Sequence, residues 1–308
     1  MFNWIRTALV VSTVGFLAAC GGDDDREPTV AETTASDARF SILNEALAAA
    51  DLTATFQSPG NYTVFAPTND AFATLLTELG LTKAALLGNK PLLTAVLKYH
   101  VLSSRVLRSG VPLGKPVTPL EGGIFKVDAS GAALVITDGR NRRSTITATD
   151  LSTSNGVIHV IDKVLLPADK TLVQTAQALP QFSILVEAVL AANLQGALSA
   201  SGPLTVFAPT NDAFAALLAE LGVSKAALLA DVPLLTKVLT YHVVNGRALK
   251  ADVPVGAAIT TLQGETFSVD ASLTITDRRS RRAGITATDV LASNGVIHVV
   301  DKVLLPAP

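Results

Sequence analysis

The stretch Thr63-Val-Phe-Ala-Pro-Thr-Asn-Asp-Ala-Phe72 recurs without a change as Thr205–Phe214. The likeness extends in both directions from it. Phe40-Ser-Ile-Leu43 returns as Phe182-Ser-Ile-Leu185, and Tyr99-His100 as Tyr241-His242, always 142 residues on. Between Phe40–His100 and Phe182–His242, 39 of 61 positions are identical, which indicates a duplicated module rather than two convergent ones. Further along, Asn155-Gly-Val-Ile-His-Val160 returns as Asn294–Val299 at an offset of 139. The second copy has therefore lost three residues, and a hairpin near Ser130–Ala133 would tolerate that loss. Extending the alignment outward gives modules over 28–167 and 168–308, each of common domain size. Leu166-Pro167 runs straight into Ala168-Asp169-Lys170, so the two modules are not expected to tumble independently.

Each module begins with helical periodicity and ends with a period of two. In the second copy, helices are expected over Thr171–Leu179 and Phe182–Ala192, the latter with Phe182, Leu185, Val189 and Ala192 on one face. A short buried strand follows at Thr205–Phe207, stopped by Pro209. Thr210 or Asn211 caps a helix over Asp212–Leu221 that ends at Gly222. Another helix covers Lys225–Leu229, and Pro233 opens one that runs to about Thr240. After the Tyr-His pair, Thr145–Thr149 alternates, with Ile146 and Ala148 expected to point inward together, and Leu273–Thr276 alternates likewise. Asn155-Gly156 and Asn294-Gly295 are tight-turn signals. The run Val296–Leu305 is apolar on both faces, as in a central strand. Helices first and strands later define an α+β module.

The composition excludes several classes. With 308 residues, 49% hydrophobic and 16% charged, the chain is too apolar to be disordered. A formal net charge of −2 gives no basis for general nucleic-acid binding. The one Cys, one Met and one Trp are Cys20, Met1 and Trp4, so the body has no disulfide, no cysteine metal cluster and no thiol nucleophile.

Residues 1–19 have a signal-peptide pattern: Arg6 supplies the positive end, and Ala8–Leu17 is a short apolar run. The ending Leu17-Ala18-Ala19-Cys20 resembles a bacterial lipoprotein signal, which implies lipidation of Cys20 and attachment to a membrane through it. Gly21 after the cysteine leans towards the outer membrane in the enteric sorting pattern. Residues 20–27 then form the anchor and a solvated tether, with Asp23, Asp24 and Asp25 as tether charges rather than a cation site.

The three ordered motifs resemble those of the fasciclin (FAS1) family. They are Thr63–Phe72, Tyr99-His100 and Asn155–Pro167, repeated at Thr205–Phe214, Tyr241-His242 and Asn294–Pro306. The resemblance covers nearly all of the chain beyond the tether. It implies two tandem modules, each a β-wedge or sandwich with several packed α-helices. It also implies a non-enzymatic role in adhesion, with an extracellular-matrix or cell-surface protein or polysaccharide as partner. The alternative is a periplasmic envelope scaffold, or a small-ligand or anionic-glycan binder, without an adhesive role.

The four histidines fall inside the repeated motifs. His159 and His298 lie in apolar runs and are expected to be neutral core rings satisfied by hydrogen bonds. Two histidines per module and no cysteine do not make a zinc site. There is no G-x-S-x-G elbow, and Gly110–Lys115 has neither the spacing nor the hydroxyl of a phosphate loop, so neither an enzyme nor a cofactor is expected. Tyr99, His100, Tyr241 and His242 match a motif that the resemblance connects with adhesion; a packed, turn-closing role is the other reading. Asp289-Val290-Leu291 resembles the Asp-Ile-Leu core of an adhesive segment in animal members, with Asp150-Leu151 its weaker counterpart. Ala287-Thr288 replaces the Asn-Lys that precedes that core, and an aspartate capping a local turn is the plainer role. The Arg-rich tips, Arg140, Arg142 and Arg143 in one module and Arg278, Arg279, Arg281 and Arg282 in the other, suit phosphate, sulfate or carboxylate groups. Solvated hairpin tips are the competing reading.

Overall fold

A computed structural model describes residues 26–200 and 202–308. Residues 1–19, Cys20 and most of the tether lie outside the described residues.

Module 1 opens with three helices, α1 (Val30–Ser36), α2 (Ser41–Ala49) and α3 (Thr53–Gln57), before strand β1 (Tyr62–Pro67). Pro67 ends the strand and Thr68 caps α4 (Asn69–Leu79), its hydroxyl accepting from Ala71 N at 3.3 Å. Gly80, at φ 63°, closes that helix in the left-handed region, where a side chain is disfavoured. Helices α5 (Lys83–Gly88) and α6 (Lys90–Tyr99) follow. Then come β2 (Val101–Leu102), β3 (Pro116–Val117), β4 (Phe125–Ser130), β5 (Ala133–Thr137), β6 (Arg143–Thr153) and β7 (Gly156–Ile161).

Module 2 repeats the series. It runs α7 (Leu172–Gln177), α8 (Ser183–Ala191), α9 (Gln195–Ser199), β8 (Leu204–Pro209), α10 (Asn211–Leu221), α11 (Lys225–Ala230) and α12 (Val232–Tyr241). Its remaining strands are β9 (Val243–Asn245), β10 (Ala258–Thr260), β11 (Thr266–Val269), β12 (Thr274–Thr276), β13 (Arg282–Ala292) and β14 (Gly295–Val300). Thr210, not Asn211, is the cap of α10. The three missing residues shorten the hairpin between β11 and β12, relative to that between β4 and β5.

Both sheets have seven strands in the same order, β2-β1-β7-β6-β5-β4-β3 and β9-β8-β14-β13-β12-β11-β10. Among the described residues, the strand pairs β1–β7 and β8–β14 are the parallel ones, the other strand pairs being antiparallel. The sheet has a core on each face, because β1 alternates between them. Val64 and Ala66 join the helices, while Phe65 joins Tyr99, Phe125, Val127 and Ile136 inside the curled sheet. Every residue of β7 and of β14 is buried, as both faces of an interior strand require. The strand stops at Val300, so the apolar run to Leu305 leaves the sheet earlier than its sequence suggests.

One local expectation fails and another is shifted by a residue, each for an identifiable reason. Ile146 and Ala148 face opposite cores, because a bulge puts two residues of β6 against one of β7. The Asn-Gly turns form one residue early, at Ser154-Asn155 and Ser293-Asn294, and Gly156 and Gly295 are the first residues of β7 and β14. A Cβ on Gly156 would sit 2.3 Å from the Tyr62 carbonyl oxygen, and one on Gly295 would sit 2.2 Å from that of Leu204. Glycine is there for close strand approach, not for a positive φ.

Candidate functional site: the buried motifs and the face between the modules

The motif asparagines are structural fasteners. Asn69 accepts from Ile42 N at 3.0 Å and donates to Ala38 O at 2.9 Å, which fixes the start of α2 against α4. Asn211 does the same with Ile184 N and Pro180 O. Asn155 is 2% exposed; it accepts from Val30 N and donates to Phe56 O and Ser58 O, tying α1 and α3 to the sheet. Asn294 repeats this with Leu172, Leu198 and Ala200. Sequence reasoning assigned these asparagines only to turns and caps. Their recurrence in both copies was the available signal.

The four histidines use both ring nitrogens on the backbone. His100 donates from Nδ1 to Val96 O at 2.7 Å and accepts at Nε2 from Leu165 N at 2.8 Å. His242 makes the same pair with Val238 O and Leu304 N. One donor and one acceptor define a neutral ring, and burial holds the pKa of each down to about 4. His159 accepts from Asp150 N at 3.2 Å and donates to Val106 O at 2.9 Å, and His298 bridges Asp289 N and Ala248 O alike. Burial lowers the pKa of both of these rings as well. They hold the bulge at which Asp150 (φ 61°) and Asp289 (φ 62°) adopt the left-handed conformation.

Tyr99 and Tyr241 are fully buried. The Tyr99 hydroxyl donates to Ile124 O, and that of Tyr241 donates to Thr266 O at 2.9 Å. Burial pushes the Tyr241 phenol up to about 12 and raises that of Tyr99 further. The adhesive candidates Tyr99, His100, Tyr241 and His242 therefore lie inside the modules and present no surface to a partner.

The other adhesive candidates divide between the modules. Asp150 is exposed and accepts from Arg108 N at 2.8 Å, beside the half-buried Leu151. Asp289 is 4% exposed, Leu291 2%, and Val290 half-buried, because module 1 covers them. The Lys126 ammonium lies 2.7 Å from Asp289 Oδ2, whose partner oxygen accepts from Lys250 N. Asn141 accepts from Leu291 N at 2.6 Å and donates to Leu291 O at 3.0 Å, as a pairing strand would. Ile124 of module 1 completes an apolar cluster with Leu249, Leu291 and Val296. The linker crosses Gly139 so closely that a Cβ there would lie 2.3 Å from Ala168 N. This contact face was not anticipated from the sequence.

The Arg-rich tips are shaped by a buried aspartate. Asp138 Oδ1 accepts from Arg140 N and Arg142 N, and its Oδ2 from Leu166 N at 3.0 Å. Burial raises its pKa, with these donors working against the rise. Asp277 makes the matching bonds to Arg279, Arg281 and Leu305. Most tip guanidinia have partners within the chain. Arg140 pairs with Asp169 and Arg142 with Glu78, both at 3.0 Å. Arg281 pairs with Glu220 at 2.6 Å and Arg282 with Asp270 at 3.0 Å, while Arg279 Nε donates to Pro306 O. Arg278 lies 3.9 Å from Glu265, and Arg143 is exposed.

Similarity to known proteins agrees with this architecture. The fasciclin domain model matches residues 38–167 and again 180–306. The chain belongs to the fasciclin family, whose domains are typical of cell-adhesion and extracellular-matrix proteins. It is 31% identical over 254 residues to pig transforming growth factor-beta-induced protein ig-h3, covering 81% of this chain and 35% of that one. It is 46% identical over 151 residues to protein sll1483 of Synechocystis, covering 48% of this chain and 79% of that one. Human periostin is 28% identical over 261 residues, covering 83% of this chain and 29% of periostin. The chain thus spans about a third of the length of the animal relatives. A solved FAS1 domain pair from the insect cell adhesion molecule fasciclin I aligns at TM-score 0.43 and 18% identity, over 86% of this chain and 92% of that one. Among the described residues, no helix is long and apolar enough to cross a membrane.

Proposed function

We propose that this chain is an exported, non-enzymatic adhesion protein, anchored to a bacterial envelope, with outer-membrane placement, through lipid on Cys20. Two locked fasciclin modules present their outer surface to a matrix or cell-surface protein or polysaccharide. The observation that carries this reading is the state of the histidines. Every ring nitrogen is bonded to backbone, so the modules keep no free imidazole for acid–base chemistry. What remains available to a partner is the exterior, including Asp150 and Leu151 at the open bulge of module 1. A strain lacking the protein should attach less to matrix-coated surfaces, and Cys20→Ser should release the protein from the membrane fraction. Undiminished attachment by the deletion strain would reject the adhesive role.

A second reading, binding of anionic glycans without adhesion, draws on the exposed Arg143, Arg278 and Arg282. It predicts salt-sensitive retention on a sulfated polysaccharide that falls when these three become Ser. Retention that does not change would remove it.

A further inference from the structure

The tip of module 1, the linker and the bulged face of module 2 enclose a cleft of about 570 Å³. That volume is in the range of small-molecule sites. One wall is cationic, formed by Arg140 and Arg142 with Lys170 of the linker, and Asp169 is its carboxylate. The rest of the lining is mainly apolar, with Leu179, Ala287 and Val290 beside the polar Thr175 and Gln181.

The guanidinia of this wall are incompletely bonded. Among the described residues, Arg140 Nε and Arg142 Nη1 are buried without a hydrogen-bond acceptor, although the Asp138 carboxylate stands 3.8 Å from Arg142 Nη1 as an ion-pair partner. Their counterparts in module 2 are not in this position. Arg279 Nε donates to Pro306 O at 2.9 Å, and Arg281 Nη1 donates to Val303 O at 3.0 Å. The same two arginines thus satisfy these donors at the isolated tip and leave them unmet at the tip that lines the cleft. A buried donor without an acceptor is costly, and an oxyanion supplies acceptors in the geometry a guanidinium prefers. Asp169 and Glu78 already hold the outer nitrogens of Arg140 and Arg142. The positive edge formed by Arg140 and Arg142 with Lys170 is what an oxyanion entering the cleft would meet.

We propose that the cleft binds a small amphipathic anion, an oxyanion head group on a short aliphatic body. Arg140 and Arg142 take the head, Lys170 adds positive charge at the rim, and Leu179, Ala287 and Val290 cover the chain. The site is made by the pairing of the modules and belongs to neither alone. It does not depend on the adhesive reading.

The test is calorimetric titration of the full chain with decanoate below its micellar concentration, beside acetate and decanol. Decanoate should bind saturably at one site, with acetate and decanol at least tenfold weaker. Arg140→Gln should weaken decanoate at least tenfold, while Arg279→Gln, the matching change outside the cleft, should leave it unaltered. Ala287→Trp, which fills the cleft and leaves both arginines in place, should abolish binding without moving the unfolding midpoint. The proposal is overturned by absent saturable decanoate binding or by decanol binding as tightly as decanoate. Equal effects of Arg140→Gln and Arg279→Gln, or unchanged affinity in Ala287→Trp, would also overturn it.

Discussion

Asp150 and Asp289 occupy the same bulge in duplicated modules, each held by a histidine from the neighbouring strand. One faces water and the other is 4% exposed beneath module 1. The surroundings have diverged accordingly. Leu249 is fully buried, whereas its counterpart Leu107 is 44% exposed. Leu291, 2% exposed, stands where module 1 has the exposed Ser152. On the covering side, Ile124, Lys126 and Asn141 correspond to Thr266, Ser268 and Ser280 of module 2. The bulge, with its histidine, belongs to the module. The residues that differ around it record which copy is covered and which copy covers.

The largest effect should be the same in both copies. Gly156→Ala and Gly295→Ala each force a methyl into a strand carbonyl and should cost about 3 kcal/mol or more in urea unfolding. A difference between the two above about 1 kcal/mol would show that the modules are not equivalent even in their cores.

Acid should also act on both modules. His100 and His242 are neutral when folded, with pKa near 4, against 6.5 when exposed. Below pH 6.5 the unfolded chain takes up protons that the folded chain refuses, so stability falls as pH drops from 6.5 to 4 and levels off below. The full effect is roughly 3 kcal/mol for each ring. Urea midpoints between pH 7 and pH 5 should shift downward, and a flat profile would contradict the buried neutral rings.

The contact between the modules should give unequal results. Lys126→Ala strands the Asp289 carboxylate and should cost about 2–3 kcal/mol of module coupling, read as two separate unfolding transitions. Ser268→Ala at the matching place should change stability by less than about 0.5 kcal/mol. Leu291→Ser, which copies module 1, should remove about 2 kcal/mol and speed proteolysis of the linker around Ala168. The smallest effect belongs to Asp150→Asn, which keeps the acceptor for Arg108 N and should shift stability by less than about 0.5 kcal/mol. If Asp150→Asn proved as costly as Lys126→Ala, the open face of module 1 would have an undetected cover.

Much of each module was legible from local pattern. The helix over 211–221 was readable because cap, amphipathic spacing and closing glycine all lie within one short stretch. The bulge in β6 was not, since an extra residue leaves the alternation Thr-Ile-Thr-Ala-Thr intact while turning Ala148 to the other face. The candidate contacts were located as residues but not as surfaces. Tyr99 and Asp289 carry no mark of burial that differs from that of an exposed residue of the same type. The divergence of Leu291 from Ser152 was a readable sign of a covered face.

Duplication, the order of helices and strands, and the motifs that place histidines in apolar runs follow from the chain alone, because each rests on neighbours a few residues apart or on exact recurrence. The pairing of the modules, the burial of Asp289 and the unmet donors of Arg140 and Arg142 follow only from the assembled molecule. They depend on groups up to 163 residues apart in the chain, as Lys126 and Asp289 are, and no local periodicity carries that distance.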